Sequence, residues 1–290
     1  AAPAVRVGIV QGNIGIERKG QRAMFRRNLD DYRRLSIAMG DTVDLLVWPE
    51  TVAQHPIAVG VSLPPADGHP FATPPHPLVF GGLAVAPGPG GRRVYNSAFL
   101  ADTSGTIIGR YDKRVLVPFG EYLPLAERFP WLRSLSPATG RFSAGAGAGI
   151  LTTPDGVRIG PLICYEDVIP GPAREAVGLG AQLLLNLTND AWYGDSAEPH
   201  QHQALALWRA VETRRDFIRS TNTGLTATIS ATGQVLAELP VFVAATQAVE
   251  VRLLDVTTFY TVWGDLFGGA VVVAWALGAM ARRRYRVMLP

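Results

Sequence analysis

The chain predicts an α/β fold, and two observations predict it. Short apolar runs alternate with helical patterns from the first residues to about residue 254, the rhythm of a sheet flanked by helices. A composition of 48% apolar and 18% charged residues is that of a chain with a buried core, not a disordered one. In order, the strands read as "VRVGIVQGN", "DLLVWPE", "PLVFGGLAV", "YNSAFLAD", "TIIGRYDK", "VRIGPLICYE", "AQLLLNLTN", "DFIRSTNT", "LTATISA" and "AVEVRL". The helices read as "RAMFRRNLDDYRRLSIAM", "PAREAVGLG" and "PHQHQALALWRAVETRRD". Between Thr51 and Pro77 a proline- and histidine-rich stretch is too irregular for either class, and "GRFSAGAGAG" reads as a flexible connection. No internal repeat is visible.

The formal charge of +3 does not imply a nucleic-acid partner. Arg282, Arg283, Arg284 and Arg286 supply four of the 27 basic residues; without them 23 face 24 acidic ones. A near-neutral body without basic stripes does not track phosphates. The four arginines close a stretch that is uncharged from Leu266 to Ala281. Counted back to Val262, the run reaches the about 20 residues a bilayer requires, at the cost of including Asp265. Residues 262–281 are therefore expected to be a transmembrane helix, with 255–261 as linker and 282–290 as a basic cytoplasmic tail. Trp263 and Tyr285 would sit near the two interfaces, and the body, residues 1–254, would face away from the cytoplasm. A buried core helix is the alternative. The chain opens "AAPAVRVGIVQGN" with neither methionine nor signal-like segment, so it reads as a fragment of a longer protein.

There is one cysteine, Cys164, which excludes an internal disulfide. Three residues fall where apolar runs end: Glu50 after "LLVWP", Lys113 after "IIGRYD", and Cys164 after "GPLI". Carboxyl ends of strands in α/β sheets open onto ligand crevices, so an acid, an ammonium and a thiol can meet there. Together they suit nucleophilic acyl transfer, in which a thiol attacks a carbonyl, a carboxylate shuttles the proton and a cation faces the oxyanion. Taken singly, each has an ordinary reading too, the carboxylate and the amine as solvated surface groups and the cysteine as a small buried hydrophobe. His200 and His202, at i and i+2, do not share a helix face and are not read as a metal pair.

At these residues the chain resembles the nitrilase, or carbon-nitrogen hydrolase, superfamily. More narrowly it is similar to the catalytic domain of the apolipoprotein N-acyltransferase family. The stretches that carry the likeness are "WPET", "YDKRVLVPFGEYLP", "CYEDVIP", the run from "NLTNDAWYGD" to "TGLTATIS", and "TFYTVWGD". The resemblance implies a nitrilase-like αββα sandwich followed by a C-terminal transmembrane helix, anchored in a bacterial inner membrane with the catalytic domain in the periplasm. The family also carries transmembrane helices ahead of the domain, which this chain does not contain.

The resemblance further implies Cys164 as nucleophile, Glu50 as proton acceptor and donor, and Lys113 with the backbone N–H of Tyr165 as oxyanion stabilisers. Glu121 would orient Lys113, and Glu166 is the acid after the nucleophile; satisfying buried backbone donors is an equal reading of both. A lysine beside the thiol is expected to let the thiolate form near neutral pH. The implied reaction is ping-pong. A phospholipid acyl donor leaves its acyl chain on Cys164 as a thioester, and the N-terminal amine of a diacylglyceryl apolipoprotein takes it up, with no cofactor. Trp131, in the apolar segment "LAERFPWLRSLSP", would belong to a lipid-touching lid or to the core, and the stretch from Thr51 to Pro77 is a second lid candidate. Trp192 and Tyr193 would line the acyl pocket. The competing readings are a soluble nitrilase-type amidase acting on small amides and a silent binding domain that keeps the fold.

Overall fold

The computed structural model describes residues 2–62, 71–88, 91–137 and 139–287. The elements in chain order are β1 (Ala4–Gln11), α1 (Ile16–Gly20), α2 (Phe25–Ile37), β2 (Leu45–Val47), β3 (Ala53–Ala58), β4 (Leu78–Gly88), β5 (Gly91–Ala101) and β6 (Ile107–Asp112). There follow α3 (Leu132–Leu135), β7 (Leu151–Thr152), β8 (Arg158–Ile163), α4 (Pro170–Gly178), β9 (Leu183–Thr188) and α5 (Glu198–Thr213). The last are β10 (Asp216–Thr221), β11 (Ala227–Ile229), β12 (Val235–Glu238), β13 (Ala245–Arg252), α6 (Phe259–Trp263) and α7 (Leu266–Val287).

Two sheets result. The first runs β13-β1-β2-β4-β5-β6, with β3 paired to β4, and the second runs β12-β11-β10-β9-β8-β7. Each has parallel pairs at its centre, β1 with β2 and β2 with β4 in one, β8 with β9 and β9 with β10 in the other. Antiparallel strands finish the edges.

Alternation along the strands explains the layering, since successive side chains point to opposite faces. Leu45 and Val47 face inward with Val7, Ile9, Val79 and Leu100, and meet Leu183, Leu185, Leu187 and Ile218 of the second sheet. Leu46 and Trp48 face outward onto Leu29 and Tyr32 of α2. On the far side Leu162, Leu184 and Phe217 pack under Ala173, Ala176 and Val177 of α4 and Ala206 and Ala210 of α5. The order is helix, sheet, sheet, helix, the expected αββα sandwich.

The irregular stretch after Thr51 is in part a strand. β3 pairs parallel to β4 and accommodates Pro56 because it lies off the main path of the sheet, where a missing N–H breaks no continuous ladder. Residues 63–70 of that lid candidate lie outside the described residues. Two short edge strands, β7 and β12, also went unread, each too brief for a periodic signal.

The C-terminal boundary differs from the expectation. Val262 and Trp263 belong to α6, which is capped by Thr258 accepting from Thr261 N–H at 2.9 Å and packs against α4 and α5. Gly264 then breaks the path at φ +56°, a conformation open to glycine. A new helix begins at Leu266 and continues through the arginine cluster to Val287. Phe267 is 79% and Trp275 74% exposed. No helix among the described residues is long and apolar enough to cross a membrane. The physical reason is length: the 16 uncharged residues from Leu266 to Ala281 measure about 24 Å as a helix, short of a hydrocarbon core of about 30 Å. The side chains of Arg283, Arg284, Tyr285 and Arg286 and all of 288–290 lie outside the described set.

Candidate active site

Each of the three predicted residues follows a strand of the sandwich. Glu50 comes three residues after β2, with β4 pressed against its backbone: a Cβ on Gly81 would lie 2.6 Å from the Glu50 Cα and 2.5 Å from the Pro49 carbonyl. Only glycine permits that approach. Lys113 follows β6 and is fully buried. Cys164 follows β8 at the strand-to-3-10-turn junction, with φ +52°, a left-handed conformation costing roughly 1–2 kcal/mol for a residue with a Cβ. That strained turn puts Tyr165 in the first turn of the 3-10 helix, where N–H groups lack intrahelical partners.

A buried polar network joins these positions. Lys113 Nζ lies 2.9 Å from Glu121 Oε1 and 2.8 Å from Oε2, while the other face of Glu121 accepts Val117 N–H at 2.9 Å. Asn96 Nδ2 donates to Glu50 Oε1 at 2.6 Å and reaches Glu121 Oε1 at 3.4 Å, so one amide spans both acids. Glu121 thus lies on the Lys113 ammonium. Glu166 is fully buried and serves as an anchor. Its Oε1 accepts Arg114 N–H at 2.8 Å, Val115 N–H at 3.1 Å and the Tyr111 hydroxyl at 3.0 Å, and its Oε2 accepts Ile163 N–H at 2.9 Å. It pins the backbone after Lys113 to the backbone before Cys164.

Electrostatics decides the resting protonation. Burial pushes Glu50 above the ordinary carboxylate range, against the pull of Lys113, Asn96 and Lys19. Burial alone would lower Lys113, but Cys164 when ionised, together with Glu50 and Glu121, raises it above its ordinary value, so Lys113 stays charged. Burial and then Glu50 push the Cys164 thiol up, and Lys113 only partly offsets them. This corrects the expectation of a thiolate near neutral pH. At the sulfur, burial and the Glu50 charge outweigh the Lys113 ammonium, so the balance of the free site favours the thiol over the thiolate.

Tyr193 lies within electrostatic range of the site. Partial burial first, then Cys164, Glu198, Asp190 and Glu50, push its hydroxyl up to about 12. Trp192 beside it is 70% exposed. Trp131 is exposed, not core, as are Phe119, Leu125, Phe129 and Leu135 around it. Nothing in the geometry brings Trp131 against the thiol. The ring of Tyr165 is partly exposed as well.

Sequence reasoning missed several participants. Asn96 sits inside β5 and Tyr111 inside β6, polar groups in apolar runs whose partners are remote in sequence. Lys19, in α1, donates to the Glu50 carbonyl at 2.8 Å and is brought down to about 8 by burial. Behind the nucleophile turn, Asp167 is fully buried and binds Arg219 Nε at 3.0 Å, His202 Nε2 at 2.7 Å and Asn186 Nδ2. Burial by itself would lower His202, yet Asp167 brings it up to about 9.

A four-layer α/β sandwich with an acid, a lysine and a cysteine at its strand ends is the architecture of enzymes that act on carbonyl carbon. The chain belongs to the Carbon-nitrogen hydrolase family, whose profile matches residues 6–260. It is similar to the apolipoprotein N-acyltransferases of Geobacter metallireducens (38% identical, 96% of this chain and 54% of the relative) and Bdellovibrio bacteriovorus (33%, 95% and 55%). That of Rhizobium rhizogenes is 38% identical over 81% of this chain and 45% of the relative. The chain spans about half the length of these curated relatives. Among solved structures, an amidase of the nitrilase superfamily from Nesterenkonia shares the fold with a TM-score of 0.58 at 21% identity, over 87% of this chain and 92% of that one. The glutamine-dependent NAD+ synthetase of Acinetobacter baumannii does so with 0.61 at 15%, over 88% and 48%.

Proposed function

We propose that the chain is the catalytic part of an N-acyltransferase that moves an acyl chain from a phospholipid, through a thioester on Cys164, to the N-terminal amine of a diacylglyceryl-cysteine lipoprotein. The observation that carries the reading is Lys113, fully buried and fixed by both oxygens of Glu121, in the field of Cys164 and Glu50. A cation so held cannot be a surface ion; it is preorganised for charge that appears during reaction. The likeness to apolipoprotein N-acyltransferases over nearly the whole chain supports the choice of substrates.

In the first half reaction Glu50 takes the thiol proton as sulfur attacks the ester carbonyl, which suits a carboxylate whose proton affinity burial has raised. The tetrahedral oxyanion is held by Lys113 and the Tyr165 N–H. On collapse the ester C–O bond breaks and Glu50 returns the proton to the departing lysophospholipid oxygen. In the second half the lipoprotein amine attacks the thioester carbonyl, Glu50 takes its proton, and the expelled sulfur regains it. An amide and the free thiol result.

Exposed apolar groups favour lipid over a small amide as substrate. Phe119, Leu125, Phe129, Trp131 and Leu135 are each exposed within one segment after Lys113, which we assign to lipid contact, with Trp192 and Tyr193 at the acyl pocket. α7 in this reading enters the bilayer of the bacterial inner membrane. Its uncharged run from Leu266 to Ala281 measures about 24 Å, so this reading requires the bilayer to thin locally around it. The body then faces the periplasm and the arginines the cytoplasm.

The test supplies phospholipid vesicles and a diacylglyceryl lipopeptide with a free α-amine. The lipopeptide should gain the mass of one acyl chain, and blocking its amine should abolish the gain. Hydrolysis of small amides with no acyl transfer to the lipopeptide would favour the amidase instead.

A further inference from the structure

The 27 basic residues of the chain include two lysines, Lys19 and Lys113. Both act on Glu50: each pulls its carboxyl down against the effect of burial, Lys113 more strongly. Lys113 faces the oxyanion in the reading above, whereas Lys19 has no task there. Its Nζ donates to the Glu50 carbonyl at 2.8 Å, and its own carbonyl accepts the side-chain amide of Gln54. One residue of α1 thus ties down both ends of the stretch from Glu50 to the start of β3. Thr51 inside that stretch stands at φ +53°, a left-handed conformation that a β-branched residue adopts only where its surroundings impose it. Gly81 of β4 closes against the same stretch, since a Cβ there would lie 2.6 Å from the Thr51 nitrogen.

We propose that Lys19 is a positioning residue for the base: it fixes the turn that carries Glu50 and, through its charge, favours the ionised carboxylate that takes the thiol proton. The proposal rests on the roles given above to Glu50 and Cys164. The bond to the Glu50 carbonyl is charge-assisted, about twice as strong as one between neutral groups. Burial brings Lys19 down to about 8, so it keeps its proton at neutral pH and below, where carboxylates titrate. Asn28, Tyr32, Thr51, Gln54 and Asn222, which line the small cavity beside Lys19, are neutral, burial keeping the Tyr32 hydroxyl protonated. Neighbouring Arg18 is paired with Asp31 at 2.5 Å. Glu50 is therefore the charge that Lys19 answers to. From its other sides Glu50 faces Lys113, Glu121 and, when ionised, Cys164.

The two lysines then divide the work, Lys113 on the charge that develops during reaction and Lys19 on the group that accepts the proton. Lysine suits the second task better than arginine, because a compact ammonium serves a single carbonyl, whereas a guanidinium fork presents donors that would need further acceptors. In the sequence Lys19 passes unnoticed, since it stands in the charged run "ERKG", where an ammonium is ordinarily solvated.

The test is the rate at which an activated small ester, nitrophenyl butyrate, acylates Cys164 in the 290-residue chain, followed from acid to neutral pH as a burst of nitrophenol. Sulfur bonds to the acyl carbon, the ester C–O bond breaks, Glu50 takes the thiol proton and nitrophenolate leaves. In Lys19→Met the acid limb should move up by about half a pH unit, because a carboxylate that loses a nearby cation titrates higher. The rate at neutral pH should fall about tenfold with the lost bond. Lys19→Gln, which keeps a donor and so threatens the fold least, should show the same upward move. Lys19→Arg keeps the charge and should retain the parent limb even where its rate falls. A limb unmoved in Lys19→Met and Lys19→Gln, or moved as far in Lys19→Arg, would overturn the role and leave Lys19 as a tie between α1 and the turn. The ester needs no phospholipid site. A parent chain that reacts with it but transfers nothing from phospholipid to lipopeptide would sink the acyltransferase reading, and the three variants would still decide the role of Lys19.

Discussion

At the residue scale, the candidate site divides into groups that stand out in the sequence and groups that do not. Glu50, Lys113 and Cys164 are legible because each is a reactive residue at the end of an apolar run. Asn96 and Lys19 are not, because their importance lies in partners 46 and 31 residues away. The protonation state was also beyond the sequence, since it depends on how many charges share a buried volume. Lys113→Met should cost about 3 kcal/mol of transition-state stabilisation, roughly a hundredfold in kcat, with substrate KM little changed. Loss confined to KM would place Lys113 in binding instead. Because Cys164 rests as a thiol and Glu50 must be ionised to accept its proton, the rate of acylation should rise with pH through a carboxylate titration lying above the ordinary range. Glu50→Gln should remove both that limb and the reaction. A pH profile flat from acid to neutral would exclude Glu50 as the base.

At the element scale, turns and chain ends carry most of the surprises. Glu166 links the turn after β6 to the end of β8, and a neutral amide cannot replace it, because its NH2 would face a backbone N–H that needs an acceptor. Glu166→Gln should therefore destabilise the fold by about 1–3 kcal/mol and depress kcat with it, read from denaturant midpoints and rates on the same preparation. Unchanged stability would remove its anchoring role. The C-terminal segment divides at Gly264. Arg215 holds the Val256 carbonyl at 2.7 Å and Thr258 Oγ1 donates to the Glu212 carbonyl at 2.6 Å, so residues 255–263 belong to the folded body and not to a free linker. A chain cut after Gly264 should stay folded and lose its affinity for vesicles, whereas a cut after Leu254 should also lower the thermal midpoint. Vesicle binding that survives the first cut would show that α7 is not the membrane contact. Hydropathy reads the apolar run correctly as a helix but cannot see the break, because a glycine at positive φ leaves no periodic trace.

At the scale of the whole molecule, the two sheets and their flanking helices follow from alternation and are legible almost strand by strand. What closes the sandwich is less visible. Asp216 begins β10 in the second sheet and reaches β13 in the first, accepting Arg252 N–H at 2.9 Å and the Arg252 guanidinium at 2.8 Å, while also accepting Ala231 N–H at 2.8 Å. Burial would raise its carboxyl, but Arg252 and the two backbone donors hold it below the ordinary carboxylate range. A depressed folded value contributes stability that is present above the unfolded titration and lost as pH falls through the folded one. Asp216→Ala should thus cost about 2–3 kcal/mol near neutrality, with two backbone donors left unpaired. The gap from the parent chain should narrow as the solution is acidified below the carboxylate range, and a gap independent of pH would contradict the assignment.

The central claim is that Cys164 carries the acyl chain between donor and acceptor. Mass spectrometry of the protein incubated with phospholipid alone, without lipoprotein, tests it most directly. The account predicts one acyl chain on the peptide containing Cys164, released by hydroxylamine, absent in Cys164→Ser, and discharged when a lipopeptide amine is added. Transfer of acyl chain to the lipopeptide with Cys164 unmodified throughout, or undiminished in Cys164→Ser, would contradict it.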